Sequence, residues 1–159
     1  SWSHVSFGAV PHLVQQHQSE LRRRMEERPV ECMGRQLRPA LDEARAILAS
    51  FLGSSRDDLL FVDNATDGVN SVLRSFPFKE GDRLLVTDHE YNASRNALDF
   101  AAERFGLGID VVHIPFPLTS PDIVVDQVLD AIEPNTRLAL IDHVTSSTAL
   151  VLPLEFIIG

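Results

Sequence analysis

Apolar positions change their period along this chain. The stretch "PHLVQQHQSELRRRMEE" predicts a helix from about Pro11 to Glu27, with proline in its first turn and Pro29 as its stop. Leu41, Ala44, Ile47, Leu48 and Phe51 recur at helical spacing, which predicts a second helix from about Arg38 to Leu52, closed by Gly53. Beyond it, short continuous apolar runs alternate with helix-period segments. The runs "LLFV" (Leu59–Val62), "RLLVT" (Arg83–Thr87), "DVVHI" (Asp110–Ile114) and "RLALID" (Arg137–Asp142) predict four strands. Helices are predicted at about Thr66–Phe76, Asn92–Phe105 and Pro121–Ile132, with another starting near Pro153.

Continuously apolar strands separated by amphipathic helices indicate a mainly parallel sheet with helices on both faces, an α/β fold. The opening "SWSHVSFGAVP" has no clean period and reads as an arm or loop. Two regions are expected: residues 1–37, an N-terminal arm and helix, and residues 38–159, the front part of a larger domain. The final "PLEFIIG" reads as a helix barely begun, so that domain is expected to be truncated.

Composition changes the picture little. The chain has 159 residues, 44% hydrophobic and 23% charged, as expected of a soluble globular protein. A net charge of −9 argues against nucleic acid or an anionic membrane as partner. Any anion must be held by local geometry against that field. Cys32 is the single cysteine, which removes internal disulfides and cysteine-built zinc sites and suggests a reducing, cytoplasmic compartment. No segment approaches the length of a membrane span.

In open parallel sheets, ligands collect beyond the carboxyl ends of the strands. Three predicted strands end in polar clusters: "DNAT" (Asp63–Thr66), "TDHEYN" (Thr87–Asn92) and "DHVTSST" (Asp142–Thr148). Asn64 can cap the following helix, with Asp67 returning the bond. Ala65 and Thr66 are small enough for an anion to approach their backbone N–H groups, although a capped helix with nothing bound is the plainer reading. There is no glycine-rich phosphate loop. His89 has three possible roles: stacking on a flat ligand, acting as a base, or bonding to a loop carbonyl. Together with His143, it forms two "DH" pairs that invite a metal hypothesis, but their spacing matches no metal motif. The hydroxyls of Thr145–Thr148 suit a ligand oxygen or merely a turn. No G-x-S-x-G elbow surrounds any serine.

The stretches "SFGAVP", "NATDGVNSVLRS", "GDRLLVTDHEYNASRNALDFAAER" and "TRLALIDHVTSSTALVLP", in this order, resemble the class V aminotransferase family of fold type I enzymes, which use pyridoxal 5'-phosphate (PLP). The similarity is strongest to isopenicillin N epimerase-like proteins. The resemblance implies that Ala65 and Thr66 hold the cofactor phosphate, His89 stacks on its pyridine ring and Ser146 lies near the ring hydroxyl. It also implies that His4 and Ser6, with Phe7 and Gly8, line the substrate side of the pocket, and that no metal is required. Val5 replaces a usual glycine, and Ser147 a usual proline that would stiffen its turn.

The same resemblance implies a small amino acid substrate and, for a full-length protein, a homodimer. Epimerisation, transamination and cleavage of a β-substituent, as in cysteine desulfurases and C–S lyases, are the expected outcomes. Each needs a Schiff-base lysine. Lys79 is the only lysine, and its turn "FPFKEGDR" precedes a strand, at the edge opposite the clusters. The resemblance therefore assigns no catalytic residue in these 159 positions. A non-catalytic fragment or degenerate relative is the alternative.

Overall fold

The structure, a computed structural model, describes residues 8–158. The chain divides into two units, Ser1–Phe61 and Val62–Gly159.

The first unit is helical. Helix α1 (His12–Glu27) starts after Pro11 and ends at Arg28, whose backbone leaves the helical region, which is disfavoured for a residue before a proline. Pro29 does not stop the helical path as the sequence suggests. With its fixed φ and missing N–H it serves as the first residue of a new helix. That helix, α2 (Pro29–Glu31), runs through a π-helical turn (Cys32–Gln36) into α3 (Leu37–Leu52). Gly53 ends α3 at φ 69°, in the left-handed region. The strand expected at Leu59–Val62 does not form. Its backbone joins no ladder, the Leu59 carbonyl instead accepts from the Arg45 guanidinium at 3.2 Å, and Leu60 is 84% exposed.

The second unit is the α/β layer structure. It runs α4 (Ala65–Ser75), β1 (Arg83–Thr87), α5 (Asn92–Phe105), β2 (Gly108–Val112), α6 (Pro121–Asp130), β3 (Thr136–Leu140) and α7 (Leu154–Ile158). The sheet is parallel, in the order β2–β1–β3. Because side chains alternate along a strand, β1 feeds two cores. Leu84 and Val86 pack with Leu73 of α4 and Ala97, Leu98 and Ala101 of α5. Leu85 packs on the other face with Val112, Ile114, Leu152 and Val124 and Val128 of α6. Leu84, Leu85, Val86, Leu98 and Val124 are completely buried. Both faces of the central strand are thus covered, as its unbroken apolar run predicts.

Two local devices fix the start of the sheet. Arg83 embraces Asp110 with both arms of its guanidinium, through Nε at 2.6 Å and through Nη2. A side chain at Gly108 would collide with that guanidinium, since an added Cβ would lie 2.5 Å from Arg83 Nη1. At the other end, β2 stops two residues earlier than its apolar run suggests. The Ile114 N–H leaves the ladder and donates to Asp88 Oδ1 at 2.9 Å.

Candidate functional site

The head of α4 is built as its sequence suggests. Asn64 is extended, and its Oδ1 accepts the Asp67 N–H at 2.9 Å. Asp67 returns the bond to the Asn64 side-chain amide at 3.2 Å rather than to its backbone, so its carboxylate is turned into the cap. Among the described residues, no acceptor meets the backbone N–H of Ala65 or Thr66. A helix start presents such donors together with the positive end of the helix dipole. Ala65 is exposed and Thr66 half-buried. Ala65 also lines a groove of about 390 Å³ between α4 and β3, with Gly68, Val69 and Val72 facing Leu138 and Leu140.

His89 lies just beyond the carboxyl end of β1, with only 9% of its side chain exposed. Both ring nitrogens are engaged by protein: Nδ1 meets Thr148 Oγ1 at 2.8 Å, and Nε2 meets the Ile114 carbonyl at 2.9 Å. With neither nitrogen free, the imidazole is not available as a base or a metal ligand. Its neighbour Asp88 binds the Ile114 N–H and, at 2.5 Å, His113 Nδ1. Burial pushes the Asp88 carboxyl up, but these two partners outweigh it and hold it below the ordinary value.

Thr148 and Ser146 share one loop beyond β3. The loop closes through Ala149 N–H to the Thr145 carbonyl (3.0 Å), Thr145 N–H to the Leu150 carbonyl (2.9 Å) and an antiparallel bridge from Val144 to Val151. Those bonds close the turn without a proline at Ser147. Ser146 is exposed on it.

Glu90 and Asp142, at the ends of neighbouring strands, form a carboxyl pair that sequence reading missed. Desolvation first, and then the Asp142 charge, raise Glu90 to about 7. Glu90 Oε2 is buried with no donor, as expected of an acceptor facing another acceptor until one of them holds a proton. Desolvation raises Asp142 as well.

The structure therefore brings His89 and the Ser146 loop together through Thr148, and sets Ala65 and Thr66 at the head of α4, which packs on both α5 and β1. His143 is exposed, and its carbonyl accepts the Leu152 N–H at 2.8 Å. No cluster of three or more His, Cys, Asp or Glu among the described residues is placed to hold a metal. His4 and Ser6 lie outside the described residues. Lys79 is exposed four residues before β1, at the strand's amino end, with its backbone N–H on Asp82 Oδ2 at 2.8 Å. No helix of the described residues is long and apolar enough to cross a membrane.

The aminotransferase class-V profile matches residues 10–159. The chain belongs to this family. It is 40% identical over 136 residues to isopenicillin N epimerase of Amycolatopsis lactamdurans, an alignment covering 84% of this chain and 34% of that protein. It is 28% identical over 164 residues to a probable chloroplastic L-cysteine desulfhydrase of Arabidopsis thaliana, covering 94% of this chain and 34% of that protein. The chain thus spans about a third of the length of the curated relatives it matches. Among solved structures, the cystine C–S lyase C-DES in complex with cysteine persulfide superposes with a TM-score of 0.85 at 23% identity, covering 95% of this chain and 40% of that one. A C-DES variant with glycine covalently linked to its PLP cofactor gives 0.82 at 24%. The fold is the PLP-transferase large domain, present in part.

Proposed function

We propose that this chain supplies the phosphate-holding and ring-covering elements of a PLP enzyme acting on an amino acid. The observation that carries the reading is how His89 is used. Both ring nitrogens are spent on protein groups, so what the side chain has left for a ligand is the face of its ring. A flat heteroaromatic partner uses that face, as PLP does in this family. The residues at the two stations fit such a group. The first-turn N–H groups of Ala65 and Thr66 are free to bind a phosphate, and the neighbouring Asp67 charge is turned into the cap.

In this reading Ala65 and Thr66 hold the phosphate, His89 covers the pyridine ring and Ser146 sits by the ring hydroxyl. His4 and Ser6 face the substrate. When bound, the cofactor supplies an electron sink for bond changes at the substrate α-carbon. Lys79, at the amino end of β1, is not assigned the role of the lysine this chemistry uses. Epimerisation at Cα is the outcome we favour, on the 40% identity to the epimerase. Cleavage of a C–S bond is the second reading, on the similarity to a probable desulfhydrase. A cytoplasmic homodimer is the expected state of the full-length protein.

The binding half is tested by titrating PLP into ¹⁵N-labelled protein and following the Ala65 and Thr66 amides. Both should move with PLP and with inorganic phosphate, and stay in place with unphosphorylated pyridoxal. Amides that ignore phosphate would end the assignment. For the full-length enzyme, deuterium entering Cα in heavy water without sulfide release supports epimerisation, whereas sulfide release supports the second reading.

A further inference from the structure

We propose that Thr145 and Thr148 form a hydroxyl relay that fixes the His89 ring in one tautomer and one plane, making both threonines positioning residues. The identity of the ring that His89 covers rests on the reading above; the relay does not.

The direction of each bond follows from counting donors and acceptors. Thr145 Oγ1 accepts the Leu150 N–H at 2.9 Å, and Thr145 as a residue is only 2% exposed. Its own hydroxyl hydrogen therefore needs an acceptor, and Thr148 Oγ1 stands 2.8 Å away. Thr148, having accepted that hydrogen, has one of its own to give, and His89 Nδ1 lies at 2.8 Å. Nδ1 is thereby an acceptor. On the far side, Nε2 faces the Ile114 carbonyl at 2.9 Å, which can only accept, so the ring proton sits on Nε2. The Asp88 Oδ1, 3.8 Å from Nε2, favours a proton on the same nitrogen. Every hydroxyl and ring nitrogen in this series then has its partner. Reversing it would leave the buried Thr145 hydrogen without one.

The mechanical consequence is that two strand ends are locked together. The ring is held on one side by the segment after β2 and on the other by the loop after β3, which also carries Ser146. A ring pinned at both nitrogens has its plane defined before any ligand arrives, so less is lost in ordering it on binding.

The test uses ring-nitrogen NMR of the ligand-free protein, with His89→Gln to assign the signal. The wild type should show a pyridine-type Nδ1 and a protonated, pyrrole-type Nε2. Thr148→Val keeps the shape and removes the donor, so the Nδ1 signal should move, and Thr148→Ser should restore it. PLP affinity should fall about tenfold in Thr148→Val, the scale of one hydrogen bond, and change less than about twofold in Thr148→Ser. A wild-type proton on Nδ1, or an unchanged Nδ1 signal in folded Thr148→Val, would overturn the relay. Should Thr148→Val not fold, the wild-type tautomer and Thr148→Ser still decide. If PLP fails to bind the wild type, the proposed function falls, and the nitrogen signals still judge the relay separately.

Discussion

The two units are both rich in apolar side chains, and only the second hides them. From Val62 onward, two clusters sandwich β1 and leave Leu84, Leu85, Leu98 and Val124 without solvent contact. Before that point, Ala49 is the only buried hydrophobic residue of the described chain, while Phe51 is 84% and Ile47 67% exposed. The first unit is helical for local reasons: a proline in position one, a glycine stop, and Arg23 paired with Glu20 and Glu27 along one face. Local signals set where helices begin and end, but burial supplies most of the stability. In this chain taken alone, the second unit should be the stable body.

The largest effect is expected where that contrast is steepest. Leu98→Ala removes a side chain at 0% exposure from between α5 and β1, and should cost about 3 kcal/mol in urea unfolding. Hydrogen exchange should agree, with β1 amides protected far longer than those of α1. A loss below about 1 kcal/mol for Leu98→Ala, or equal protection in both units, would break the comparison.

A middle-sized effect tests whether a local device matters where a core exists. Asn64→Ala removes the 2.9 Å cap on the Asp67 N–H. It should cost about 1 kcal/mol, because α4 is part of the packed layer and its fraying is felt by Leu73. It should also weaken phosphate binding, since the cap holds the first turn in shape.

The Glu90–Asp142 pair sharpens the comparison by pH. The Glu90 carboxyl is raised from 4.5 to about 7. Between those values the folded state binds more protons than the unfolded one. The contribution of the protonated group is therefore full below pH 4.5 and is lost as pH rises through about 7. Glu90→Gln should remove that loss, stabilising the protein by about 1 kcal/mol at pH 8 once screening of the exposed part is allowed for, with little change at pH 4. A parallel shift at both pH values would show that the pair does not carry the proton.

What the sequence revealed follows the same divide between local and distant causes. Helix α5 has the predicted bounds Asn92–Phe105, and Asn64 and Gly53 cap as their neighbours imply. The parallel, doubly covered sheet is legible from the unbroken apolar runs. Leu59–Val62 has the same pattern, yet whether a run becomes a strand depends on a partner, and its carbonyl is taken by Arg45. The helix from Pro29 through Leu37 was hidden because proline marks a start as readily as a stop. At the site, His89 was visible from its place after a strand. Its anchor Thr148 lies 59 residues on, and the link between Glu90 and Asp142 is equally remote, so neither link leaves any mark in local spacing.

The smallest effect belongs to the exposed first unit. Phe51 lies in the last turn of α3 with 84% of its surface in solvent. Phe51→Gln gives up almost no buried area, and helix propensity slightly favours glutamine, so unfolding free energy should change by less than about 0.5 kcal/mol. Solubility should improve, because an exposed aromatic beside Ile47 and Leu48 is part of an apolar surface. A loss of more than about 2 kcal/mol would mean that Phe51 is buried in solution. The contrast between a unit with a core and one without would then have to be abandoned.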